Sequence, residues 1–89
     1  MPKVKLYSTP DCFFCDKVKH FLQNHKIEFT EVDVSVDREA AIELVEKSGQ
    51  LGVPVLDIYG KILIGYDKEE MRKALGLVSE LSQQKNRTS

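Results

Sequence analysis

The sequence predicts a single α/β domain: a four-stranded mixed sheet flanked by three helices, in the order strand, helix, strand, helix, strand, strand, helix. Three observations predict it. Short β-branched runs alternate with stretches of helical apolar spacing, the last two runs are separated only by Tyr59 and Gly60, and 89 residues leave room for one core. A right-handed βαβ unit followed by a hairpin accounts for that order.

Lys3 to Ser8 alternates, with Val4 and Leu6 on one face and Lys5 and Tyr7 on the other, as a half-buried strand does. Thr9, Pro10 and Asp11 interrupt it. Phe14, Val18, Phe21 and Leu22 then recur at i, i+4, i+7 and i+8, the stripe of an amphipathic helix ending near Asn24 or His25. Phe14 belongs to the core face in this reading, and Cys12 sits at or beside the helix start. Ile27 to Val34 is β-branched enough for a second strand, although its alternation slips between Phe29 and Val32.

Asp37 is placed to cap a second helix that runs to about Ser48 and stops at Gly49. Its inward face is expected to carry Ala41, Leu44, Val45 and Ser48, with Glu39, Glu43, Glu46 and Lys47 largely on the wet side. Val53 to Ile58 and Lys61 to Ile64 form the hairpin. Asp67 followed by Glu70 gives a capping signature ahead of a last helix with Met71, Ala74 and Leu75, closed by Gly76. The domain is expected over residues 1–77, with 78–89 a polar, frayed tail.

Hydrophobic residues make up 42% of the chain and charged residues 30%, a balance that suits a globular protein rather than a disordered or membrane-spanning one. The net charge is only −1 and both signs are spread along the sequence, so no basic footprint recommends nucleic acid. Met1, Pro2 and Lys3 lead straight into the first strand, and no apolar stretch has the length of a secretory or transmembrane segment. A cytoplasmic, monomeric protein is expected.

In the reducing cytosol a permanent structural disulfide is rare, and a bridge between Cys12 and Cys15 closes too small a loop to stabilise much. Chemistry or metal binding is the better use of this pair. A thiol attacks a disulfide as its thiolate, and the unpaired N–H groups at a helix start lower a cysteine pKa from about 8.5 to about 3.5–7.5. Cys12 is the nucleophile on that argument. Cys15, three residues on and on the same helix face, is the resolving thiol.

Cys12, Cys15, His20 and His25 also have a spacing that invites zinc. Helical geometry opposes it: at about 100° per residue His20 lies about 140° around from Cys15, and His25 about 140° further. A metal-binding module holding zinc or an iron–sulfur cluster on the two cysteines is the competing reading, and a non-enzymatic adaptor that keeps the fold is a third.

Three segments in order, 7–15 with its Cys-Phe-Phe-Cys, Gly52-Val53-Pro54-Val55 and Gly65-Tyr66-Asp67, resemble the glutaredoxins, above all short bacterial glutaredoxin-like proteins. The likeness covers residues 3–76 and implies a thioredoxin-like fold. It implies a cis Val53–Pro54 bond beside the sulfurs, with Val53 turned toward an extended substrate. It further implies that Gly65, Tyr66 and Asp67 hold the γ-glutamyl end of glutathione, Asp67 receiving its ammonium while serving as an N-cap. Phe13 is expected at the mouth of the site, in contact with protein substrates.

The chain departs from the family pattern in ways that bear on the electron donor. Phe13 and Phe14 replace the usual Pro-Tyr between the cysteines, Thr9 stands where many relatives have lysine, and Gly52 replaces threonine. Only one glycine precedes Tyr66. An ammonium partner for the carboxylate of glutathione is thereby lost, which weakens glutathione binding. The expected partners are disulfide-containing proteins, with glutathione as co-substrate or a thioredoxin reductase-like flavoenzyme as reductant, and no bound cofactor, metal, nucleic acid or membrane.

Overall fold

Residues 3–76 are described by the computed structural model, in the order β1 Val4–Ser8, α1 Phe13–Asn24, β2 Thr30–Asp33, α2 Arg38–Ser48, β3 Val55–Ile58, β4 Lys61–Ile64 and α3 Lys68–Leu75. The tail expected over 78–89 lies outside the described residues. The strands form one mixed sheet in the order β2-β1-β3-β4. β1 and β2 are parallel, with Leu6 opposite Glu31, because α1 carries the chain back between them. β1 and β3 are antiparallel, with Tyr7 opposite Val55, and β3 turns directly into β4.

Tyr59 and Gly60 make that turn, both with positive φ (52° and 95°), the backbone a two-residue hairpin needs to match strand twist. Asp57 Oδ1 accepts the Gly60 N–H at 2.9 Å and holds it. The helices end as the sequence expects: Asp37 caps α2 through the Ala40 N–H, and Gly49 and Gly76 close α2 and α3 in the left-handed region.

Alternation along the strands divides the core in two. Val4, Leu6, Leu56, Ile58 and Leu63 meet Val18, Phe21 and Leu22 of α1 and Met71 of α3 on one face. Tyr7 and Val55 meet Leu44 of α2 on the other, with Val32, Val34, Val53 and Ile62 around them. Each face of the sheet is therefore covered, and β1 is not the half-buried strand expected. Tyr7 is fully buried beneath α2.

A buried phenol needs partners for its hydroxyl. The Tyr7 hydroxyl donates to Glu43 Oε1 at 2.6 Å and accepts from Lys47 Nζ at 3.1 Å. Lys5 also reaches Glu43, and Lys47 reaches Asp57, each at 2.6 Å. Glu43 thus binds β1, and Lys47 binds both β1 and β3. This corrects the expected face of α2: Ala40 and Leu44 are buried, Val45 is exposed, and Glu43 and Lys47 reach the sheet. The polar demand of Tyr7 outweighs the apolar pattern on that helix.

β2 is shorter than the expected Ile27 to Val34. After α1 the chain turns back at Lys26, whose φ is 56°, and Ile27 and Phe29 pack on the α1 side of the core without joining the ladder. Pairing with β1 starts at Thr30. β3 begins at Val55 rather than Val53, since Pro54 has no N–H to give the ladder.

Candidate active site

β1 ends at Ser8, and four residues later Cys12 caps α1 in an extended conformation (φ −114°, ψ 109°). Its Sγ accepts the backbone N–H of Cys15 at 3.1 Å, taking the place of the side-chain oxygen at an ordinary N-cap. Its carbonyl receives the first intrahelical bond, from Asp16 N at 3.2 Å. Cys12 and Cys15 form a disulfide with Cα atoms 5.2 Å apart. They differ in access: Cys15 is 1% exposed, whereas Cys12 is half-buried at the surface.

Because β3 runs against β1, its first residues lie at the same end of the sheet as the cysteines. The Val53–Pro54 bond there is cis, as the resemblance implies. β4 runs back to that end, where Gly65 N–H donates to the Pro54 carbonyl at 2.9 Å. Gly65 has φ 85°, a conformation that favours glycine and turns the chain toward α3. Asp67 caps α3, its Oδ1 accepting the Glu70 N–H at 3.2 Å, and Tyr66 is half-buried against the core.

The fold therefore gathers Cys12, Phe13, Cys15, Val53, Pro54, Gly65, Tyr66 and Asp67 at one end of the sheet. Two helices, α1 and α3, begin there, and the N–H groups of their first turns point to that end, Cys12 Sγ and Asp67 Oδ1 each accepting one, with Asp16, Glu69 and Glu70 in the same turns. A thiolate or carboxylate is favoured at such a place.

Phe14 departs from expectation. It is 53% exposed beside Phe13, itself 66% exposed, and the two rings meet edge to face at 5.2 Å. Lys17 Nζ lies 5.1 Å from the centre of the Phe13 ring, a cation–π distance. The buried stripe of α1 runs instead through Cys15, Val18 and Leu22. A signal for this was present, because cysteine is among the most buried residue types and 15, 18 and 22 also follow helical spacing. His20 and His25 are exposed, the latter stacked on Phe21. Among the described residues no three His, Cys, Asp or Glu side chains are grouped to hold a metal ion.

The family model for Glutaredoxin matches residues 4–63. The chain belongs to the glutaredoxin family. A glutaredoxin-like 8.6 kDa protein in the rubredoxin operon of Clostridium pasteurianum is 40% identical over 72 residues, covering 81% of this glutaredoxin-family chain and 96% of that protein. The crystal structure of the thioredoxin-like protein BC3987 aligns with a TM-score of 0.77 at 29% identity, covering 81% of this chain and 99% of that one. The glutaredoxin from Methanosarcina mazei aligns at 0.76 and 27% identity, covering 84% and 79%. The fold is thioredoxin-like, and membership in the glutaredoxin family points to thiol–disulfide oxidoreductase chemistry.

Proposed function

We propose that this chain is a dithiol oxidoreductase that reduces protein disulfides or glutathione mixed disulfides, with Cys12 as nucleophile and Cys15 as resolving thiol. One observation carries the assignment of roles. Cys12 is the half-exposed residue of the pair and its Sγ is held by a helix-start N–H, while Cys15 is buried. Once the pair is reduced, that N–H and the helix dipole favour the thiolate of Cys12.

The thiolate attacks one substrate sulfur, forming a Cys12–substrate disulfide and expelling the other substrate sulfur as a thiolate that takes up a proton. Cys15 then loses its proton and attacks Cys12 Sγ, so the mixed disulfide breaks, the second substrate thiol leaves, and the pair is oxidised. Two electrons pass to the substrate. Two glutathione thiols, giving glutathione disulfide, or a thioredoxin reductase-like flavoenzyme restore the dithiol.

Protein disulfides are the preferred substrates in this reading, because the exposed rings of Phe13 and Phe14 directly follow the nucleophile in the chain and suit an apolar polypeptide contact. Glutathione is a co-substrate at Gly65, Tyr66 and Asp67, with no cofactor held, and the working compartment is the cytoplasm. No helix among the described residues is long and apolar enough to cross a membrane.

Cys12→Ser is expected to abolish disulfide reduction, and Cys15→Ser to accumulate substrate covalently on Cys12, read by intact mass. The reverse pattern would exchange the roles. Comparing glutathione with thioredoxin reductase as reductant of the oxidised protein identifies the donor.

A further inference from the structure

The face of α2 turned away from the sheet has no part in the cysteine site. Ile42, 54% exposed, and Val45 lie on it, and with Ala41 and the exposed Leu51 they line an open apolar groove of about 340 Å³. Arg38 and Glu46 also line it, eight residues apart along α2. Glu43 and Lys47, on the same helix, are held by side chains of the sheet. Arg38 and Glu46 have no side-chain hydrogen bond or ion pair among the described residues. Scattered apolar side chains are ordinary on a surface, whereas this strip is contiguous and rimmed by unpaired opposite charges.

We propose that this strip is a self-association surface, on which α2 packs antiparallel against α2 of a second copy to form a weak dimer. Arg38, Ile42 and Glu46 form an i, i+4 row, the ridge used in the commonest class of helix packing. Arg38 and Glu46 are equally far along the helix from Ile42. A twofold axis passing beside Ile42 therefore sets each copy's Arg38 against the other's Glu46, with the apolar side chains between them. A parallel pairing would set like charges together, and an acidic or basic partner would satisfy one end alone. A second copy satisfies both.

One helix face is smaller than the roughly 1,200–2,000 Å² of a stable interface, so the dimer forms only at high concentration and the dilute chain is the expected monomer. α2 and α1 cover opposite faces of the sheet, which leaves the cysteine pair open in the dimer.

Sedimentation velocity of the full chain under reducing conditions, from about 10 µM to about 1 mM, spans the affinity such a small interface gives. The weight-average mass is expected to rise toward twice the monomer value. Arg38→Glu or Glu46→Arg alone places like charges at both ends and should weaken association about tenfold or more. The double variant Arg38→Glu/Glu46→Arg restores opposite pairs and should restore it. A chain monomeric throughout the range, as when the strip serves another protein, overturns the proposal, and so does association that neither single variant weakens. Circular dichroism and disulfide-reductase activity, both expected unchanged, check that the variants fold.

Discussion

At neutral pH a cysteine with a pKa of about 8.5 is mostly protonated, so a redox cysteine works only as fast as its surroundings favour the anion. The two cysteines of this chain have unequal surroundings. Cys12 Sγ receives an N–H bond from the first turn of α1 and stays accessible, while Cys15 belongs to the buried stripe with Val18 and Leu22. In the reduced protein, alkylation at neutral pH should modify Cys12 first, faster than an unstructured cysteine, and Cys15 only after unfolding. Equal rates at both thiols would remove the basis for assigning their roles. The same stripe decides what Phe14 does. Phe14→Ala should change stability by less than about 1 kcal/mol, since the ring is largely in solvent, whereas Leu22→Ala should cost about 2–5 kcal/mol. Spacing alone does not place Phe14, because 14 and 15 are neighbours that both fit a stripe through 18 and 22. Packing of the sulfur beneath the helix start decided it.

At the level of elements, seven were legible in their order from apolar spacing, and several are also bounded by chemistry that reads locally: the Asp caps and Gly stops of α2 and α3 and the Tyr-Gly turn between β3 and β4. Pairing and phase were less legible, because they are set by partners distant in sequence. Nothing near Tyr7 signals that its hydroxyl will need Glu43 and Lys47, 36 and 40 residues away. Near Ile27 the one signal is the slip in alternation between Phe29 and Val32, which does not say that the ladder starts at Thr30. The polar layer under α2 is testable through its centre. Tyr7→Phe keeps the ring but strips Glu43 and Lys47 of a shared partner, and equilibrium urea unfolding should show a loss of about 1–3 kcal/mol. No loss would mean that the hydroxyl is dispensable and that Leu44 with the Lys5–Glu43 and Lys47–Asp57 pairs suffices to hold α2. At α3 the capping carboxylate is open to solvent, so Asp67→Ala should cost about 1 kcal/mol in the same assay.

For the molecule as a whole, the site exists because a parallel pair and a hairpin share one sheet. The end of β1, the start of β3 and the end of β4 meet there, with the starts of α1 and α3. Segments near residues 12, 54 and 66 are thereby neighbours, which the order of elements and the resemblance together made legible from sequence. The opposite face carries the charges that govern how stability depends on pH. The Glu43 carboxyl is held below its ordinary value of 4.5, chiefly by its bond from Lys5 and then by that from Tyr7. Its folded form therefore binds a proton less readily than its unfolded form, so its contribution is complete above 4.5 and is lost as pH falls through the folded value. Lys47 is raised above 10.5, first by Asp57 and then by Tyr7. Tyr7 is raised above 10.0 by burial first and by Glu43 second. Both hold protons in the fold that the unfolded chain gives up, so their contribution is complete below about 10 and is lost as pH rises beyond it. In the disulfide form, whose cysteines do not titrate, the melting temperature should therefore be flat between about pH 5 and pH 9 and fall on both sides. Glu43→Gln should make the acid limb shallower, by no more than about 1 kcal/mol because the carboxylate is 40% exposed and screened by solvent. An acid limb of unchanged slope in Glu43→Gln would show that the layer beneath α2 is not where the fold senses acid.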